Sequence, residues 1–105
     1  MCREYTVGEI RKQFLEHIRG LVNYWDGIPE KTITEKLEGL AFSILVVLDG
    51  GAMGLPGFIV APIPHPSDKQ FHVEEGEDYY PDNYEIEGRI KGDIAGELHE
   101  LFLKK

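Results

Sequence analysis

The stretch EKLEGLAFSILVVLDGG, residues 35–51, is the most apolar part of the chain and decides the fold. Within residues 40–48 only Ser43 is polar, whereas a helix at a protein surface keeps a solvated face. Thr32 and Glu35 match the S/T-x-x-E capping box that begins many helices. The β-branched residues of the stretch leave a central strand as the rival interpretation. Length and capping favour one buried helix around which the rest of the chain packs.

A second amphipathic helix is predicted before this stretch. Apolar residues recur at spacings of three and four over about residues 7–25, and Thr6 with Glu9 forms another capping box. Gly27 and Pro29 end this helix, and because the connection is short, the two helices should be antiparallel neighbours. A third helix is predicted near residues 93–104, with Asp93 at its N-terminal end.

Weak strand signals lie between the central helix and the helix predicted near residues 93–104. Residues 58–61, 69–73 and 84–86 are short apolar or alternating runs, and the prolines after residue 61 limit the first to an edge strand or an extended segment. We therefore predict a single α+β domain over residues 1–105. The domain has three main helices, near residues 7–25, 33–49 and 93–104. The helix near residues 33–49 is buried at the centre, and a small, irregular two- or three-stranded sheet lies beside the helices. The predicted core contains Phe14, Ile18, Leu21, Leu37, Leu40, Ala41, Ile44, Leu45, Leu48, Ile94, Leu98 and Leu101.

Length and composition indicate one soluble domain. A chain of 105 residues is large enough to bury a single core. Its N-terminal residues carry charges where a signal peptide has an apolar core, and the apolar stretch is shorter than the roughly 20 residues that span a bilayer. We expect a cytoplasmic protein that makes no membrane contact. Its single cysteine, Cys2, cannot form an internal disulfide and lacks the neighbours of a zinc site.

The net charge of −8 is concentrated in one segment. Between residues 74 and 87 seven residues are acidic and none is basic, so the rest of the chain is close to neutral. Direct nucleic-acid binding requires clustered Lys and Arg, so we expect this protein not to bind nucleic acid directly. Concentrated carboxylates instead favour a basic protein partner.

Three tyrosines lie among these acidic residues. Tyrosine is favoured at recognition surfaces because it combines a large contact area with a polar end. The predicted partner-binding residues are Glu75, Glu77, Asp78, Tyr79, Tyr80, Asp82 and Tyr84. Two other interpretations stay open: the acids only solvate a loop that the tyrosines pack down, or the strip imitates nucleic-acid phosphates toward a DNA-binding protein.

A metal site is the alternative to an interaction surface. His65, Asp68 and His72 provide the donor types that zinc and other first-row ions prefer, although they lack the helical spacing of H-E-x-x-H. The simpler interpretation is that both histidines lie at the surface and Asp68 caps a turn. Asp93 and His99 are candidates for an acid/base pair, but on one helix residues six apart point to different sides. We therefore expect a cap and a surface histidine there.

No motif in the chain requires catalysis or a cofactor. The glycine-rich residues 50–58 lack both the Gly-Lys-Ser/Thr ending of a P-loop and the Gly-x-Gly-x-x-Gly spacing. Ser43, Ser67 and Cys2 all lack the surroundings of a catalytic nucleophile. The sequence leaves enzymatic activity open but favours its absence, and it predicts no cofactor.

Two phrases of the sequence carry a resemblance. The phrases KLEGLAFSILVVLDG (residues 36–50) and DIAGELHELF (residues 93–102), with HPSDK between them, resemble small uncharacterised proteins of bacterial and prophage genomes. The resemblance implies an accessory intracellular protein of about one domain and carries over no activity.

These observations together predict a noncatalytic protein-interaction module. The central helix needs more cover than two other helices provide, so we expect the module to self-associate as a homodimer. The acidic tyrosine segment is its expected recognition surface. A small metal-binding protein or metal-dependent hydrolase using His65, Asp68 and His72 is the alternative.

Overall fold

Helices make up most of the regular structure of the protein. The computed structural model describes residues 2–82 and 84–104, so Asn83 of the acidic segment lies outside the described residues. The elements in chain order are α1 (Val7–Asp26), α2 (Ile33–Leu48), α3 (Asp68–Glu74), β1 (Glu85–Ile86), β2 (Arg89–Ile90) and α4 (Leu98–Phe102).

Both long helices begin with the predicted capping boxes. The Thr6 hydroxyl accepts a hydrogen bond from the Glu9 N–H at 3.2 Å, and the Glu9 carboxylate accepts one from the Thr6 N–H at 2.9 Å. Thr32 and Glu35 repeat this exchange at the start of α2, with distances of 3.1 and 3.0 Å. Each box satisfies N–H groups that the first helical turn leaves free.

The helices α1 and α2 form an antiparallel pair, as predicted. The Trp25 ring at the end of α1 lies against Gly39 in α2, and its indole N–H donates to the Ser43 hydroxyl at 2.9 Å. The Lys36 ammonium donates to the Asp26 carbonyl at 2.8 Å across the same junction. At the opposite end of the pair, Leu48 at the end of α2 lies beside Val7 and Ile10 at the start of α1, so the two helices run in opposite directions.

The prediction of a strand at residues 69–73 is wrong, because these residues lie in α3. Five residues cannot distinguish alternation from helical spacing reliably, and Lys69 and Gln70 both favour helix. Residues 58–61 are extended but form no strand ladder with residues 69–73. Instead the Val60 N–H donates to the Asp93 carboxylate at 2.8 Å, and the Val60 carbonyl accepts from the Ile94 N–H at 2.7 Å.

A two-residue hairpin is the only strand pairing among residues 2–82 and 84–104. The strand predicted at residues 84–86 corresponds to β1, which pairs antiparallel with β2. Glu87 and Gly88 connect them with φ angles of +51° and +77°, the two positive values of a type I′ turn. The predicted α+β class with a small sheet is therefore not confirmed, since the sheet is reduced to this pair.

The last helix is much shorter than predicted. It spans Leu98–Phe102 rather than residues 93–104. Gly96 has a φ of +123°, which no right-handed helix contains, so the chain turns there before α4 begins. Asp93, predicted as the helix cap, instead accepts hydrogen bonds from Val60 and Ala95.

The predicted core is only partly formed. Val47, absent from the predicted set, is the only fully buried hydrophobic residue among those described. Leu37, Ile94 and Leu101 were predicted as core but are 61%, 60% and 54% exposed. The central helix α2 is thus half-buried rather than enclosed, which corrects the prediction of a buried centre.

The surface of the chain is large for its mass. Its accessible area is 8594 Å², whereas compact monomers of this size expose about 6,000 Å². The radius of gyration is 17.7 Å, compared with about 13 Å for a compact chain of this length. The dimensions of 53 × 46 × 22 Å describe a flat molecule in which much of each helix lies near the surface.

Within residues 2–82 and 84–104, no helix has the combined length and apolarity that crossing a bilayer requires.

Candidate functional site

His65 and Asp68 form a local turn before α3. The Asp68 carboxylate accepts a hydrogen bond from the His65 N–H at 2.9 Å, and the Asp68 N–H donates to the His65 carbonyl at 2.9 Å. The His65 ring nitrogen Nδ1 lies 2.8 Å from the Ser67 hydroxyl. These contacts are those of a turn cap, and they leave the imidazole of His65 at the surface.

His72 lies on α3 and faces a different neighbour. Its Nδ1 atom lies 3.5 Å from the Glu77 carboxylate, and its carbonyl accepts the Glu77 N–H at 2.8 Å. Within the described part of the chain, no three or more His, Cys, Asp or Glu side chains come close enough together to hold a metal ion. His65 and Asp68 thus meet in the turn, but His72 does not complete a metal site with them, and the metal site stays a hypothesis from sequence without geometric support.

The acidic tyrosine segment, residues 74–87, is held at several points. It leaves α3 through the Glu77–His72 backbone bond, and Pro81 then packs against Gly92, where an added Cβ atom would lie 3.1 Å from the proline ring. Further along, the Tyr84 carbonyl accepts the Lys91 N–H at 2.8 Å beside the β1–β2 hairpin. These contacts define the path of the described residues on either side of Asn83.

Two of the tyrosines are covered in part by lysines. The Lys69 ammonium lies 5.2 Å from the centre of the Tyr79 ring, and the Lys91 ammonium lies 5.1 Å from that of Tyr84. Lys91 also donates to the Tyr84 hydroxyl at 2.9 Å, and this hydrogen bond raises the pKa of Lys91. Tyr80 is 71% exposed and is the most open of the three.

The carboxylates of this segment keep their charge available. All seven are exposed. No ion pair of residues 2–82 and 84–104 joins any of them to a lysine or arginine. Glu77 lies 3.5 Å from the His72 ring, and, after the hydrogen bond to Tyr84, the charge of Asp82 also helps to raise the pKa of Lys91. The segment therefore presents negative charge next to aromatic rings, an arrangement that binds and steers cations rather than one that activates a nucleophile.

An Asp49–His99 pair joins the end of α2 to the start of α4, and the sequence analysis missed it. The fully buried Asp49 carboxylate accepts hydrogen bonds from the Gly96 N–H at 2.6 Å, from the His99 N–H at 2.8 Å and from the His99 ring. His99 therefore pairs with Asp49 and not with Asp93, the partner considered from the sequence. One sequence signal pointed to Asp49. An acidic residue at the C-terminus of a helix is unfavourable next to the negative end of the helix dipole, so its presence there indicates a stabilising contact with another part of the chain.

Hydrogen bonding controls the ionisation of Asp49. Burial alone would raise the pKa of this carboxyl. The backbone N–H and imidazole of His99, with the N–H groups of Gly96 and Leu98, outweigh that effect and lower the pKa from 3.8 to about 2. Asp49 is consequently an anion at neutral pH.

Among the described residues, the contacts of the Asp49–His99 pair include no serine or cysteine. A carboxylate that orients an imidazole is half of a nucleophilic triad, which also requires a serine or cysteine at the other ring nitrogen. Here His99 Nε2 lies 3.8 Å from the Glu100 carboxylate, and the ring packs edge-on against Phe42. The pair therefore fastens α4 to α2.

Comparisons of the chain with protein-family models, with curated proteins and with solved structures found no match. The resemblance to small bacterial and prophage proteins accordingly stays a prediction.

Proposed function

We propose that the protein is a noncatalytic interaction module that self-associates and presents the acidic tyrosine segment to a basic protein partner. The observation that carries the recognition part is the exposure of all seven carboxylates of residues 74–87. Exposed carboxylates attract a basic protein surface by long-range electrostatics and so raise the rate at which the two proteins associate.

The tyrosines supply the contact area that charge alone does not. Tyr79, Tyr80 and Tyr84 are 47%, 71% and 44% exposed. A lysine or arginine of a partner can therefore meet both a ring and a carboxylate at the same place, a combination stronger than either contact alone. Lys69 and Lys91 of the chain itself already lie over Tyr79 and Tyr84, which supports the proposal that rings of this segment attract cations. Tyr80, the most exposed of the three, is the ring most open to a partner.

The fixed path of the segment also favours binding. A loop that is ordered before it meets its partner loses less conformational entropy on binding than a disordered one. The Pro81–Gly92 packing and the β1–β2 hairpin provide this order.

Charge neutralisation tests the proposed recognition. The variant E75Q/E77Q/D78N/D82N removes four carboxylates from the segment. The matched control E4Q/E16Q/E38Q/E97Q removes four exposed carboxylates from elsewhere and changes the net charge by the same amount. Each bait is used to capture proteins from the native host, and the dissociation constant of the enriched partner is then measured with purified protein.

The expected result is selective loss of affinity. If each carboxylate contributes about 0.5 kcal/mol, the segment variant loses about 2 kcal/mol, or roughly thirty-fold in Kd. The wild-type complex should weaken with added salt, and the control should bind within about threefold of wild type. A partner that binds the segment variant as tightly as wild type, or that is lost equally with both variants, would show that the segment is not the recognition surface.

A further inference from the structure

Two lysines from outside the acidic tyrosine segment reach over its tyrosine rings. Lys69 lies on α3, which leads into the segment, and Lys91 follows β2, the second strand of the hairpin. The Lys69 ammonium lies 5.2 Å from the centre of the Tyr79 ring, and the Lys91 ammonium lies 5.1 Å from that of Tyr84. A cation from each side of the segment therefore covers one of its rings.

The two lysines contact the rings rather than the carboxylates. No ion pair of residues 2–82 and 84–104 joins Lys69 or Lys91 to a carboxylate, although the segment exposes seven of them. Lys91 instead donates to the Tyr84 hydroxyl at 2.9 Å. An ammonium near a ring face is attracted by the negative charge density of the ring. The chain thus contains its own ligands for two of the three rings.

These contacts can exchange with those of another cation. Both lysines and both rings lie at the protein surface, where water competes for the ammonium and the net gain from each contact is small. A lysine that leaves its ring also regains the rotamer freedom of a long side chain. The cost of displacing Lys69 or Lys91 is therefore within reach of a partner that carries several basic residues.

Exposure of the three tyrosines follows the positions of the lysines. Tyr79 and Tyr84, the two rings with a lysine, are 47% and 44% exposed, whereas Tyr80, which has none, is 71% exposed. A second cation close to Lys69 or Lys91 would also meet like-charge repulsion. Tyr80 is consequently the ring that a partner can contact without displacing a charge of this chain.

We propose that Lys69 and Lys91 compete with a basic partner for the rings of Tyr79 and Tyr84, so that both lysines leave these rings when the partner binds. The inference rests on recognition by the acidic segment in the proposed function and adds its regulation. Exchange of one ammonium for another over a ring adds little affinity. The two lysines therefore keep the complex weaker than the rings and carboxylates alone would make it.

Glutamine variants test this competition. Lys91→Gln removes the cation over Tyr84, and Lys69→Gln removes the one over Tyr79. Arg89→Gln is the matched control, because it removes one exposed positive charge only two residues from Lys91, and Arg89 lies over no ring among the described residues. The probe is a fluorescently labelled decalysine peptide, and its Kd is measured by fluorescence anisotropy at the same ionic strength for each protein.

The expected result is tighter binding when a competing lysine is removed. Lys91→Gln should bind decalysine about fivefold tighter than Arg89→Gln, since it frees both a ring face and the Tyr84 hydroxyl. Lys69→Gln frees a ring face only and should bind about threefold tighter than the control. Lys91→Arg keeps a cation over the ring and should bind no tighter than wild type.

Nuclear magnetic resonance follows the displacement directly. In the free protein, the ε-methylene protons of Lys91 should show nuclear Overhauser contacts with the ring protons of Tyr84, because the ammonium lies 5.1 Å from the ring centre. With isotope-labelled protein and unlabelled decalysine, these contacts should disappear as the peptide saturates the protein.

The outcomes separate the competition from recognition itself. If decalysine bound the variant with four neutralised carboxylates as tightly as wild type, both the recognition surface and the competition would be overturned. If that variant lost affinity but Lys91→Gln and Arg89→Gln bound equally, the competition alone would be overturned. The same holds if the Lys91–Tyr84 contacts persisted at saturation, or if Lys91→Gln bound more weakly than the control, since Lys91 would then position Tyr84 for the partner.

Discussion

Replacing Gly39 with alanine should destabilise the protein, although alanine normally strengthens a helix. A Cβ atom at Gly39 would lie 2.5 Å from two carbons of the Trp25 ring and 2.7 Å from a third. Because these atoms belong to one rigid ring, the whole indole has to move. Gly20 in α1 provides a matched control, since an added Cβ atom there meets no atom within 4 Å.

The two substitutions differ in sign. Alanine is favoured over glycine in a helix interior by about 1 kcal/mol, so Gly20→Ala should gain up to about that amount. In Gly39→Ala the same gain opposes about 1–3 kcal/mol of overpacking. Moving the ring also weakens the hydrogen bond from Trp25 to Ser43, which contributes about 1 kcal/mol. The net loss in Gly39→Ala should be about 2 kcal/mol, and the two variants should differ by about 3 kcal/mol.

Urea unfolding monitored by far-ultraviolet circular dichroism measures this difference. All three proteins are compared at one chain concentration, so that any dependence of stability on concentration is the same for each. The fluorescence maximum of Trp25, the only tryptophan, should shift in Gly39→Ala and stay unchanged in Gly20→Ala. If Gly39→Ala were as stable as wild type and its fluorescence unchanged, the packing of Trp25 on Gly39 would not limit the approach of the two helices.

Two further predictions concern acid stability and capping. The folded-state pKa of Asp49 is about 2, below the 3.8 of an ordinary aspartate, so this buried carboxylate contributes about 2 kcal/mol above pH 4 that is lost as the pH falls through 2. Asp49→Asn should lose that amount at pH 7, and its free energy of unfolding, measured by urea titration, should change less between pH 4 and pH 2 than that of wild type. A variant whose free energy of unfolding at pH 7 is within about 0.5 kcal/mol of wild type would contradict the stabilising role of the Asp49 carboxylate. Thr32→Ala should lower the free energy of unfolding by about 1 kcal/mol because it removes the cap of α2. Thr34→Ala, which removes no cap, is the control, and equal effects of the two would argue against the capping box.

The sequence predicted the parts of the fold that depend on neighbouring residues. The helices α1 and α2 were correct to within a residue or two, because a capping box marks each start and apolar periodicity extends over their length. The strand predicted at residues 84–86 overlaps β1, whereas its partner β2 and the turn at Glu87 and Gly88 were not predicted. Exposure of the acidic segment also follows from composition, because carboxylates without partners stay in water.

Elements that depend on distant contacts were not predictable in this way. The helix α3 is seven residues long, too short for periodicity to separate it from a strand. The start of α4 is determined by Asp49, about fifty residues earlier, and no local pattern reveals that contact. Within the candidate site, the sequence identified the acidic and aromatic residues but not the lysines, Lys69 and Lys91, that lie over two of the rings.

The hydrogen bonds from Gly96 and His99 to Asp49 determine when α4 can form during folding. A helix of five residues does not form alone, because nucleation costs more than so few hydrogen bonds return. The helix α4 therefore appears only after α2 has formed and has positioned Asp49 at its end. The amide hydrogens of Gly96 and His99 should then exchange with solvent together with those at the C-terminal end of α2, as one cooperative unit. The helix α4 and the C-terminal end of α2 should therefore open and close as one unit, although they are about fifty residues apart in the chain.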